Sequence, residues 1–234
     1  MGHIRSLVRS PQVLRDILVH DKMRFFSLSA THSTEKYLGM NYTTLIFHEK
    51  KPARYGILFK SINAVDYAFT FTTCVYANKP EITDNAPYYH PTVLELTKSL
   101  VANLERHVDL QGRNLSSDRY YTSIDLAEFL LSRNMTIIGT MQINRRGIPP
   151  AIKSIHNRKV FSYEVYFCKE IRDLAIHSYV VKPKSSGTRN VLLLTTHPVL
   201  LGTTKDEKQK PAAYKQYDMS KGGVDIQGRP YVGV

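Results

Sequence analysis

Two carboxylates sit where the chain changes from one element to the next. Asp118 closes the run Leu115-Ser116-Ser117-Asp118 and is followed by Arg119-Tyr120-Tyr121-Thr122-Ser123. This reads as a short strand ending in an acid, then aromatics, then a Thr-Ser pair able to cap a helix over residues 124–131. Asp225 closes a second marker, Tyr217-Asp218-Met219-Ser220-Lys221-Gly222-Gly223-Val224-Asp225. An acid at a strand end and another at a helix start are the components of a divalent-metal phosphoryl-transfer site. Hard carboxylate oxygens hold Mg2+ or Mn2+, one ion activates the attacking oxygen and the other stabilises the leaving one. On its own, Asp118 reads more often as a strand-end turn residue or a helix N-terminal charge.

The elements that would position these acids can be read from hydrophobic periodicity. Residues 1–28 hold an amphipathic helix pattern, with Pro11 suited to a first helical position and Val13, Leu14, Ile17 and Leu18 at helical spacing. Residues 29–50 have no strong period and read as loop with short extended pieces. Ile57-Leu58-Phe59 and residues 66–76, rich in aromatic and β-branched side chains, read as a strand pair able to form a hairpin. Residues 77–91 carry Pro80, Pro87 and Pro91 and read as loop.

Residues 92–108 give the clearest helix, capped by Thr92, with Val93, Leu96, Leu100, Leu104 and Val108 on one face. A third strand ends near Asp118, a helix covers residues 123–133, and residues 136–141 form a further strand. That strand–helix–strand spacing predicts a right-handed crossover in a mixed sheet. Strand candidates follow at residues 160–168, 174–181 and 190–196, and the Lys-rich residues 203–215 read as a solvated loop. No internal repeat is evident.

A length of 234 residues allows one large domain or two small ones, and 42% hydrophobic with 22% charged residues indicates a globular chain. The formal net charge of +12 favours polyanionic partners, nucleic acid foremost. Lys50-Lys51, Arg145-Arg146 and the Lys182/Lys184 pair could contact phosphates, with a solvated loop as the alternative for each. Two cysteines, Cys74 and Cys168, rule out a disulfide scaffold or a Cys-rich zinc module within these boundaries. The nine histidines are scattered without metal-ligand spacing. No apolar run approaches the roughly 18 residues of a membrane span, so no membrane partner is expected.

Four segments give these observations a family. Lys51-Pro52-Ala53-Arg54-Tyr55-Gly56-Ile57 is similar to the segment that enters the second core strand of piggyBac transposases. Asp118-Arg119-Tyr120-Tyr121-Thr122-Ser123 resembles their Asp-Asn-x-Phe-Thr-Ser stretch. Gly139-Thr140 with Asn144-Arg145-Arg146-Gly147-Ile148-Pro149 resembles the stretch after the next strand. Tyr217 to Asp225 matches their Tyr-x-x-x-Lys-Gly-Gly-Val-Asp signature. The resemblance implies an α+β, RNase H-like mixed sheet with helices and a β-rich insertion, in which three aspartates bind two divalent metals and cut DNA.

Carried over, Asp118 is the second acid and Asp225 the third, both as metal ligands, with Lys51, Arg54, Arg145 and Arg146 as weak nucleic-acid contacts. The implied division is a divergent segment over 1–50, the core over 51–150, the insertion over 151–215 and a remnant of the third-acid segment over 216–234.

The first acid is where the pattern fails. Counting back from Lys51-Pro52 without gaps lands on His32-Ser33, where the resemblance calls for Asp-Glu. Glu35 is out of register, Asp21 lies further off, and an imidazole is a poor ligand for Mg2+. After Asp225, Gly228 and Pro230 argue against the long helix the resemblance requires, so both terminal parts read as truncated or degenerate. The expectation is a piggyBac transposable-element-derived, transposase-like protein whose catalytic site is degenerate, leaning away from an enzyme, with non-specific, salt-sensitive DNA binding. Mg2+ or Mn2+ is its cofactor only if the site survives. The alternatives are a fragment of an active DDE/D transposase and a host-recruited protein interaction module. Family and charge imply a nuclear location, otherwise cytoplasmic, and a homodimer is compatible with both.

Overall fold

Alternating apolar and polar residues build a wide mixed sheet, which the computed structural model describes over residues 7–9, 25–33, 45–47, 55–65, 69–75, 92–171, 173–182, 187–197, 203 and 210–220. Its strands are β1 (Leu7–Arg9), β2 (Phe25–Ser33), β3 (Leu45–Phe47), β4 (Tyr55–Ala64), β5 (Thr70–Val75), β6 (Asn114–Ser117), β7 (Thr136–Met141), β8 (Tyr163–Cys168), β9 (Ala175–Val181) and β10 (Arg189–Thr195). The helices are α1 (Val93–Glu105), α2 (Ile124–Leu131), α3 (Pro150–Lys153) and α4 (Ala212–Ser220). The strand order is β1-β8-β9-β10-β7-β6-β2-β4-β3, with β5 also on β4. Strands β2, β6 and β7 run parallel, and every other pairing is antiparallel. The RNase H-like α+β expectation stands.

The expected hairpin is β4 with β5, and β6–α2–β7 is the expected crossover. β8, β9 and β10 form an antiparallel meander that joins the same sheet where β10 pairs with β7. Three local readings change. Phe25–Ser33 is a nine-residue strand, although residues 29–50 show no strong period, because the small Ser, Ala and Thr residues give its alternation little contrast. Residues 45–47 also form a strand. The helix α4 begins at Ala212, inside the stretch expected to be loop, with Pro211 just ahead of its first turn, where a missing N–H costs nothing. The helix expected around Pro11 lies outside the described residues.

The two sheet faces bury different material. Leu96, Leu100 and Leu104 of α1 and Leu126, Ala127 and Leu130 of α2 cover Ile62, Leu115, Ile137, Leu192 and Leu194. Each fully buried leucine there contributes about 1.5–3 kcal/mol. The opposite face packs Ala213 and Tyr214 of α4 on Ile138, Tyr179 and Leu193. Caps fix where the helices start: the hydroxyl of Thr92 accepts from the Glu95 N–H at 3.1 Å, and that of Ser123 from the Leu126 N–H at 3.1 Å. Cys74 is half-buried and Cys168 buried, and the two are not joined in a disulfide. Among the described residues no helix is long and apolar enough to cross a membrane.

A polar cluster fastens the segment between α3 and β8 to the sheet. The guanidinium of Arg158 donates to the Ser178 hydroxyl at 2.6 Å, the Ser178 carbonyl at 3.0 Å and the Ser162 carbonyl at 3.2 Å. It lies 3.7 Å from the carboxylate of Glu164, both side chains being largely buried. Ser178 donates on to Asn190, whose amide reaches the Ile152 carbonyl. Nearby, Tyr163 Oη is 2.6 Å from His177 Nδ1. Complete burial pushes the His177 pKa down to about 3, so the ring is neutral at neutral pH.

Candidate functional site

The end of β6 is a rigid turn. Ser117 is buried and Asp118 exposed. The carbonyl of Asp118 accepts from the N–H of Tyr121 at 3.2 Å, the N–H of Thr122 at 3.1 Å and the Thr122 hydroxyl at 2.8 Å. Its Oδ1 accepts from the Tyr120 N–H at 2.7 Å. The Thr122 hydroxyl is also 2.8 Å from Ser117 Oγ. Ser123 then caps α2, so one short sequence ends a strand, presents an acid and starts a helix.

Neighbouring elements clamp the turn. Gly139 of β7 pairs with Ser117, and a β-carbon there would sit 2.2 Å from Thr122 Oγ1 and 2.6 Å from the Ser117 carbonyl oxygen. Only glycine fits that approach. The next residue, Thr140, meets the phenol of Tyr217 on α4 at 3.4 Å. Arg145, in the loop after β7, donates from Nη2 to the Tyr120 carbonyl at 3.2 Å, while Arg146 is exposed. The structure therefore brings Asp118 and Arg145 together. Asp225, Lys51 and Arg54 lie outside the described residues.

One residue at the site was not expected from the sequence. Lys60 of β4 is only 4% exposed, and its ammonium lies 4.4 Å from the ring centroid of Tyr120 and 5.4 Å from that of Tyr121. Burial pushes its pKa down, and the negative charge of Asp118 opposes that shift. Burial, reinforced by the same carboxylate, raises the Tyr121 phenol. The sequence signal was a lysine inside an otherwise strand-like run, a type almost never buried unless its charge is met.

β2 lies between β4 and β6, and its pairing with β6 runs to Leu28↔Ser117, one residue short of Asp118. None of the nine residues of β2 is Asp or Glu. His32, at the position counted for the first acid, pairs with Leu58.

The family model described as Transposase IS4 matches residues 24–231. The chain belongs to that transposase family. A solved piggyBac transposase, in a synaptic complex with hairpin DNA, matches with a TM-score of 0.67 at 25% identity, over 86% of this chain and 39% of that one. The resemblance carried by Lys51-Pro52, Asp118, Gly139-Thr140 and Lys221-Gly222-Gly223 thus places this transposase-like chain with the piggyBac proteins. It spans well under half the length of that transposase. No curated protein matches it.

Two-metal transposase chemistry needs several hard oxygens around each ion. Among the described residues, the surroundings of Asp118 supply one carboxylate, with one oxygen engaged by a backbone N–H, beside a buried ammonium. No three of the described His, Cys, Asp and Glu residues converge on a point where a metal ion could sit.

Proposed function

We propose that this chain is a piggyBac transposable-element-derived protein that retains the transposase fold and a salt-sensitive grip on DNA but has lost strand cleavage. The observation that carries this is the strand beside Asp118, which holds no acid over nine residues. Asp118 keeps the ancestral position of the second acid, at the C-terminal end of a parallel strand. The contact of Tyr217 with Thr140 supports Asp225 as the third, since only four residues stand between Ser220 and it, at most about 17 Å of extended chain.

DNA binding is supported by the net charge of +12 and by the relative solved with hairpin DNA. Arg145 and Arg146 flank the Asp118 turn, and we assign Lys51 and Arg54 to the same contact. Nuclear residence follows from this reading. The expected result is duplex binding that weakens as salt rises, followed by fluorescence anisotropy. Replacing Arg145 and Arg146 by alanine lowers the log–log slope by about 2, close to one unit per lost phosphate contact. Absence of binding at every salt concentration contradicts this part of the proposal and favours the protein-interaction module.

A second reading, a piece of an active DDE/D transposase, is favoured by one fact: the chain covers 39% of the solved relative. Sequence outside this chain would then supply the first acid, and Mg2+ or Mn2+ would be held with Asp118 and Asp225. Metal-dependent cleavage by the longer protein separates the two.

A further inference from the structure

The turn after β6 turns one aromatic side chain outward while fixing its backbone on both sides. The Tyr120 N–H donates to Asp118 Oδ1 at 2.7 Å, and the Tyr120 carbonyl accepts from Arg145 Nη2 at 3.2 Å. Its ring meets that of buried Tyr121 edge to face, with centroids 5.0 Å apart and planes at 88°. The ammonium of buried Lys60 lies 4.4 Å from the Tyr120 centroid. Both contacts back the ring from the protein side, so the 40% of Tyr120 that stays exposed is turned towards solvent. A ring held in this way loses little conformational freedom when a ligand stacks on it. Arg119 and Arg146 are exposed beside the same turn, and Arg145 is tied into it. Those cations suit a phosphate backbone. Asp118, also exposed there, repels a phosphate at close range, whereas the face of a nucleobase carries no net charge.

We infer that Tyr120 is a stacking platform for an unpaired nucleobase of a DNA strand, with Arg119, Arg145 and Arg146 on the flanking phosphates. This rests on the DNA-binding reading proposed above and narrows it to strands that carry unpaired bases. Inside a continuous duplex both faces of every base are covered by its neighbours, and the ring has nothing to stack on. A single strand or an extruded base offers that face. The arginines grip phosphate in either form and carry no preference between them. Tyr120 is therefore the residue that separates unpaired from paired DNA, and it does so without a charge of its own.

Fluorescence anisotropy with a labelled mixed-sequence single strand, and with the same strand annealed to its complement, tests this. Tyr120→Leu keeps an apolar side chain against Tyr121 but has no aromatic face. It is expected to weaken single-strand binding about 5- to 150-fold and to leave duplex binding within about twofold. Tyr120→Phe is expected to bind both forms as the wild type does. The salt slope of Tyr120→Leu is expected to match that of the wild type, because no phosphate contact is lost. A second measurement decides the matter if Tyr120→Leu does not fold. The chain has no tryptophan, so the emission of Tyr120→Trp reports this position alone; single strand is expected to quench it and duplex to leave it unchanged. Equal losses on both forms, an unchanged single-strand affinity in Tyr120→Leu, or emission that saturating single strand does not alter would each overturn the inference while the DNA-binding reading stands. Absence of binding to either form at every salt concentration would overturn that reading and the inference with it, so the two failures are distinguishable.

Discussion

Replacing Gly139 by alanine is expected to lower the unfolding midpoint by about 6–12 °C, from a loss of about 3 kcal/mol. The added methyl would meet Thr122 Oγ1 at 2.2 Å and the Ser117 carbonyl oxygen and hydroxyl at 2.6 Å. The carbonyl cannot retreat without breaking the β6–β7 ladder. The Thr122 hydroxyl cannot retreat without giving up its bonds to Ser117 and to the Asp118 carbonyl. Either movement displaces the Asp118 turn, so the presentation of the acid suffers together with stability. Gly112→Ala is the control. Gly112 has φ +69° and open space around it, so alanine there meets only backbone strain of about 1 kcal/mol. Calorimetric midpoints that fell equally for the two variants would contradict the close approach at Gly139.

The other large effect belongs to Arg158. Arg158→Met is expected to cost about 3–5 kcal/mol, read as a lower denaturant midpoint with an unchanged slope. The loss comes less from the missing attraction than from what is left behind. Glu164, with its side chain 15% exposed, loses its Arg158 partner, and the carbonyls of Ser162 and Ser178 each lose one donor. Adding Glu164→Leu to Arg158→Met should recover part of the loss, since the pair then leaves no buried charge. A change below about 1 kcal/mol for Arg158→Met would place this pair with solvent-screened surface bridges.

Much of this fold was legible in the chain because its signals were strong and local. Thr92, Leu96, Leu100 and Leu104 announce α1, and Ser116-Ser117-Asp118 with Thr122-Ser123 announces a strand end followed by a capped helix. β2 escaped because its Ser, Ala, Thr and His residues give a shallow alternation, and what makes it a strand is its place between β4 and β6. α4 escaped because Lys215, Gln216, Asp218 and Met219 dilute its apolar face to Ala213 and Tyr214, whose burial depends on distant residues such as Tyr179 and Leu193. The same holds at the site. The position of Asp118 could be read from its neighbours, whereas the approach of Lys60 depends on a strand order that one sequence does not print. The closeness of Gly139 to Thr122 is likewise a three-dimensional fact, although the Gly139-Thr140 dipeptide had marked the place.

The central claim is a transposase fold without strand cleavage, and the most direct test is nicking of supercoiled plasmid by the purified chain in Mn2+, beside Asp118→Ala. The expected result is no nicked product above that of Asp118→Ala, even at high protein concentration, from a sample shown to be folded. Metal-dependent nicking by the wild type, abolished by Asp118→Ala, would contradict it and show that another acid completes the site.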